Sequence, residues 1–85
     1  MEIKSKYKVG GLWWDVSLCH MPSDAGGIDL PKQKISIDDS MTQQMKEVTL
    51  FHELIHAMNF ELDETMTEFL AQGIYQILND NNMLK

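Results

Sequence analysis

The strongest constraint on this chain is the run from Met41 to Phe60, which contains neither glycine nor proline and repeats apolar residues every three or four positions. Met45, Val48, Phe51 or His52, Ile55 and Met58 fall on that spacing, which is the signature of a helix with one covered side. Asp39 or Ser40 is placed to accept from the orphan backbone N–H groups at its start. Such a helix persists in water only when something packs on it, so the rest of the chain has to supply the cover. Beyond the connection Glu61-Leu62-Asp63, Asp63 offers a second cap. Glu64 to Asp80 then reads as a second helix with Met66, Phe69, Leu70, Gly73, Ile74 and Ile77 on one side, ending at Asn79 to Asn82.

The residues before Asp39 carry a different period. In "EIKSKYKV" Ile3, Ser5, Tyr7 and Val9 alternate with Glu2, Lys4, Lys6 and Lys8, the pattern of a strand with one lysine-rich wet face. Gly10-Gly11 supplies a turn and "LWWDVSLC" resumes, so residues 2–19 are expected to form a hairpin. Trp13 and Trp14 are neighbours and must point to opposite sides of that strand, leaving one of them outside the core. "HMPSDAGGID" is a loop by composition, and residues 33–38 alternate again as a third strand. The expected fold is α+β, one domain over residues 1–85, with a small antiparallel sheet of about three strands packed on two helices in the order ββ(β)αα. The seven methionines are read as core filler.

A chain of 85 residues buries only roughly 60% of the surface its unfolded state exposes. Stability is then marginal unless something reinforces it, and Cys19, the single cysteine, cannot form an intrachain disulfide. A lone thiol suits a reducing cytoplasm, and a bound metal is the remaining brace. The formal net charge of -6 argues against direct binding to a phosphate backbone. No apolar run approaches the ~18 residues of a membrane span. A cytoplasmic protein that binds neither nucleic acid nor membrane is expected, and the sequence sets no oligomeric state.

Within the first helix lies the chemistry. His52 and His56 are four residues apart, which at ~100° per residue stacks their rings one turn apart on one face. That geometry suits two imidazole ligands of a zinc ion, with Glu53 set beside the metal as a general base toward water. A catalytic zinc takes three protein ligands, and the candidates for the third are Glu61, Asp63, Glu64 and Glu68. Asp63 is committed to capping and Glu61 to the connection. Counting outward from a turn near Leu62 favours Glu68, Glu64 lies one turn nearer the bend on almost the same face, and residue geometry leaves the two open. Tyr75 and His20 are candidate donors to an oxyanion, and the strand Lys34 to Asp38 is the candidate edge for an extended peptide. A closed, structural site would instead recruit Cys19, His20 or Glu68 as a fourth ligand.

The stretches "TLFHELIHAMNF" and "ETMTEFLAQGIYQILNDN" resemble the small phage and prophage zinc metallopeptidase-like proteins of the ImmA/IrrE type, within the HExxH zincins. "YKVGGLWWDV" and "GGIDLPKQKISID" are similar to the same small members, so the resemblance covers nearly the whole chain. In that family the second helix opens with a ligand glutamate, then a small residue, a polar one and an apolar-alanine pair. Glu64, Thr67, Glu68, Leu70 and Ala71 match it, which implies Glu64 as third ligand with Glu68 as the alternative. The resemblance implies zinc-dependent hydrolysis of a protein or peptide, with His52, His56 and Glu64 on the metal and Glu53 as base. The rival expectation is a non-catalytic interaction protein that keeps the zinc as a brace.

Overall fold

The computed structural model describes residues 1–84. Four strands, β1 (Lys6–Val9), β2 (Leu12–Cys19), β3 (Gly26–Asp29) and β4 (Lys34–Asp38), precede two helices, α1 (Gln43–Met58) and α2 (Glu64–Asp80). β1 and β2 form the expected hairpin: Val9 pairs with Leu12, and Gly10 and Gly11 between them have φ of 59° and 84°. Two successive positive φ values are what a two-residue hairpin turn requires, and glycine adopts them without Cβ strain.

The fold is α+β, with one strand more than expected and a mixed sheet. Strand order is β1-β2-β4-β3: after β2 the chain lays β3 on the outside, then turns back so that β4 fills the slot between them. β4 therefore runs parallel to β2 and antiparallel to β3. β3 falls within the stretch expected to be a loop, because Gly26 and Gly27 have neither β propensity nor an apolar alternation. Its strand state comes from pairing with Ile35, Ser36 and Ile37 of β4. The same order places β4 inside the sheet, so Lys34–Asp38 offers no free edge; β1 and β3 are the edge strands.

One face of the sheet meets α1. Trp14, Val16, Ile35, Ile37 and Leu50 form the buried core, with Tyr7, Val9, Ile28, Phe51 and Leu54 packed round it. Trp14 is the inward tryptophan, whereas Trp13 stands outside with the Lys8 ammonium 5.9 Å above its ring. α1 is capped by Thr42, whose side chain accepts from Met45 N–H, rather than by Asp39 or Ser40. Ser40 is already engaged, since both its N–H and its hydroxyl donate to Asp38. Asp63 caps α2 as expected, accepting from Met66 N–H at 2.7 Å.

The layers run sheet, α1, α2, and α2 packs on α1 and on no strand. Its covered side is Thr67, Ala71 and Tyr75, not the Met66, Phe69, Ile74 and Ile77 side, which is exposed. Met45 and Met58 of α1 are likewise exposed rather than core. Small residues at Thr67 and Ala71 let the two helices approach closely, which the larger side chains would prevent. No helix among the described residues is long and apolar enough to cross a membrane.

Ile37 is fully buried at the centre of the sheet. Urea denaturation should show Ile37→Val costing ~0.5–1.5 kcal/mol and Ile37→Ala ~2–5 kcal/mol, through lost contacts and an unfilled cavity.

Candidate metal centre

α1 carries His52 and His56 on the arc that turns away from the core, while Leu50 and Ile55 anchor the helix. The rings stack edge to face with their centroids 4.7 Å apart, and the two Nε2 atoms are 3.1 Å from each other. After α1 the chain reverses in the five residues Asn59 to Asp63: Leu62 N–H reaches Asn59 carbonyl, Asn59 Oδ1 takes Glu61 N–H, and Asp63 caps the next helix. Glu64 is thereby delivered in the first turn of α2, directly over the pair. Its Oε2 stands 3.2 Å from His52 Nε2 and its Oε1 2.6 Å from His56 Nε2.

Two imidazole nitrogens and a carboxylate thus converge on one point. Their atoms lie within 4.8 Å of one another, and neither Cys19, His20 nor Glu68 offers an atom to that group. Two neutral imidazoles facing each other at Nε2 repel through their lone pairs unless a proton or a cation lies between them. A tetrahedral cation with bonds of ~2.0–2.1 Å sets neighbouring ligand atoms roughly 3.3 Å apart, close to the spacing here. The donor set and its geometry therefore fit a first-row divalent cation, and zinc suits this mixture of nitrogen and oxygen.

Glu64 and Glu68, which residue counting could not separate, address opposite sides of the same ring. Glu64 faces Nε2, whereas Glu68 Oε2 lies 3.0 Å from His52 Nδ1. Nδ1 is buried and has no aligned hydrogen-bond partner, so Glu68 sits close to it but off the N–H axis. Gln72 donates to the other oxygen of Glu68 at 2.8 Å. A carboxylate at Nδ1 favours the tautomer that leaves Nε2 free as a ligand, the usual outer partner of a metal-bound histidine.

Glu53 points from α1 toward β3 and is only 5% exposed. Burial pushes its carboxyl up to about 7, with the charges of Glu64 and Glu68 acting in the same direction and His52 opposing them. Gly26 makes that position possible. A Cβ there would stand 2.7 Å from Thr49 Cγ2 and 3.0 Å from both Glu53 Oε2 and the Ser36 carbonyl, closer than side chains tolerate. Residues Ala25 to Ile28 of the β3 edge, with Asp24, His52, Glu53, His56, Glu64 and Glu68, line one open cleft of about 380 Å³.

Two expected participants are elsewhere. Tyr75 is not an oxyanion donor at this cleft: its hydroxyl donates to Glu47 at 3.0 Å in the buried α1–α2 seam. His20 lies beyond the end of β2 beside Asp38 and Asp39, and its ring does not line the cleft. Asp38 is itself held below the usual carboxylate range, chiefly by the Ser40 hydroxyl and also by Met21 N–H. Gly26 and Thr49 were not singled out from sequence; the one signal for Gly26 was an adjacent glycine pair, which reads equally as a turn.

No protein-family model matches the chain, and neither a curated protein nor a solved structure does so.

A carboxyl raised by folding from its ordinary 4.5 to about 7 contributes stability that is complete below 4.5 and lost as pH rises through 7. In chelator-treated protein, Glu53→Gln should therefore melt at a higher temperature than wild type at pH 8. At pH 4 the two should melt together, as differential scanning calorimetry can establish.

Proposed function

We propose that the chain is a zinc-dependent peptidase that hydrolyses a peptide bond in the cleft between β3 and the two helices. The observation that carries this reading is the convergence of His52 Nε2, His56 Nε2 and Glu64 beside a buried glutamate of raised pKa. His52, His56 and Glu64 would hold the ion. The chemistry it supplies when bound is Lewis acidity toward a carbonyl and toward water.

The chain's own groups account for the rest. Glu53 stands in the cleft beside the two histidines, where burial raises its carboxyl in the metal-free chain, and it is placed to take a proton there and return it to the departing amine. Its low exposure removes competing water from the carboxylate. Glu68, 3.0 Å from Nδ1, favours the His52 tautomer whose Nε2 is free to hold the ion. Gly26 keeps β3 close to the base.

β3 is also the edge available to an extended peptide. Asp38 N–H donates to Ala25 carbonyl, which makes Ala25 and Asp38 a hydrogen-bonded pair of the antiparallel ladder. Such pairs alternate, so the N–H and carbonyl groups of Gly26 and Ile28 point away from β4. They offer main-chain partners to a substrate strand lying beside Glu53. This edge replaces Lys34–Asp38 in the substrate role.

The brace reading needs a fourth protein ligand, and Cys19 and His20 lie at the end of β2 while Glu68 faces the wrong nitrogen. The resemblance to ImmA/IrrE-type proteins extends the proposal to a phage or prophage protein acting on a protein or peptide in the cytoplasm.

The purified chain should bind one zinc ion, and chelation should lower its melting temperature. Ligand linkage amounts to ~4 kcal/mol when free zinc exceeds Kd a thousandfold. Glu64→Ala should lose the metal. Glu53→Gln should keep it while cutting hydrolysis of a peptide library, followed by mass spectrometry, by ~10²–10⁴. A chain that takes up no zinc, or a Glu53→Gln variant that hydrolyses as wild type does, would refute the assignment.

A further inference from the structure

α2 is the outermost layer, covered on one side only. Thr67, Ala71 and Tyr75 face α1, and an apolar stripe of Met66, Phe69 and Ile77 lies on the opposite side, with Ile74 at its border with α1. Its members are exposed: Met66 45%, Phe69 71%, Ile74 41% and Ile77 60%. Through Ile74 the stripe continues into an apolar groove of about 260 Å³ lined by Val9, Leu54 and Met58, the last 66% exposed.

Gly73 stands in the middle of this stripe. Glycine inside a helix is destabilising relative to alanine, so it is expected where something requires the missing side chain. Nothing in the chain does: no atom lies within 4 Å of where its Cβ would stand. Gly10, Gly11 and Gly26 each have an intramolecular reason, a positive φ or a close contact. At Gly73 the open space belongs to whatever crosses the helix from outside, and a second helix backbone approaches most closely where no side chain intervenes.

We propose that the occupant is a second copy of this chain, with α2 crossing the partner copy's α2 antiparallel at Gly73. A two-fold axis at that residue brings Phe69 of each copy against Ile77 of the other, so the stripe is complementary to itself. The area is sufficient. A stable dimer takes about 800 Å² from each partner, roughly 60% of it apolar. At roughly 200 Å² for a large apolar side chain, the exposed parts of Met66, Phe69 and Ile77 amount to on the order of 350 Å², and Met58 and Ile74 in the flanking groove add about 200 Å². A lipid surface fits poorly, because α2 contains no lysine or arginine and the chain carries -6. That charge opposes self-association, so the dimer tightens as salt screens it.

The test is analytical ultracentrifugation of the full chain at ~100 µM, far above a micromolar Kd. Wild type should sediment at twice the 9.8 kDa monomer mass, with Kd falling as salt is raised. Gly73→Leu fills the crossing point yet favours the helix, so it should give a monomer with undiminished helical circular dichroism; Ile77→Asp should also dissociate the dimer. The pairing of lost dimer with retained helix separates an interface from misfolding. A monomeric wild type, which would leave the stripe to a different protein, overturns the proposal. So does a dimer that survives both substitutions.

Discussion

Two imidazole nitrogens 3.1 Å apart, with one carboxylate against both, are a contact that α1 and α2 make because the connection between them is only five residues long. Between neutral imidazoles this contact is a hydrogen bond only when one ring carries its proton at Nε2, whereas a cation at the same point can take both nitrogens and the carboxylate together. α2 touches no strand, and its covered side holds Thr67 and Ala71, which bury little apolar area. At the other end of the seam Tyr75 donates to buried Glu47 and meets the Phe51 ring edge-on at 5.7 Å. α2 thus meets α1 through its buried side and through polar contacts toward each end, and those of Glu64 form the candidate metal centre.

The elements that were legible in the sequence are those decided by local chemistry. Gly10-Gly11 admits the positive φ of its turn, Asp63 caps because its carboxylate reaches Met66 N–H, and the HExxH spacing stacks two rings whatever surrounds them. What could not be read depends on partners distant in sequence. β3 is a strand because β4 pairs with it, and β4 is interior because the chain passes over its slot before returning. Helical period identified an apolar side of α2 but not whether a neighbour covers it. Glu64 and Glu68 lie on nearly one face, and only the difference between Nε2 and Nδ1 separates them.

The polar residues buried on α1 follow from the same layering. Thr49 and Glu53 sit where β3 closes over the helix, at positions where an ordinary amphipathic helix would carry leucine or valine. Burying a carboxylate is unfavourable and two neighbouring carboxylates add to the cost, so the Glu53 carboxyl is pushed up, chiefly by its burial. Natural chains tolerate such violations chiefly at working sites, where the shifted pKa is itself useful. Glu47 is also buried, yet Gln43 and Tyr75 satisfy it, so it acts as a fastening rather than a reactive group.

A small sheet with one helix packed on it leaves a single route to a deeper core, which is to cover the outer side of that helix. Here α2 covers it and in doing so becomes the next unprotected surface. If α2 ended the stack, its outward side should be polar, as Lys4, Lys6 and Lys8 are on the wet side of the first hairpin. It is apolar instead and centred on a glycine with open space above it. On the proposed readings, the ion fastens the inner side of α2 to α1 and the second copy fastens its outer side. Each contact orders the same helix, so each should reduce the conformational freedom the other has to remove.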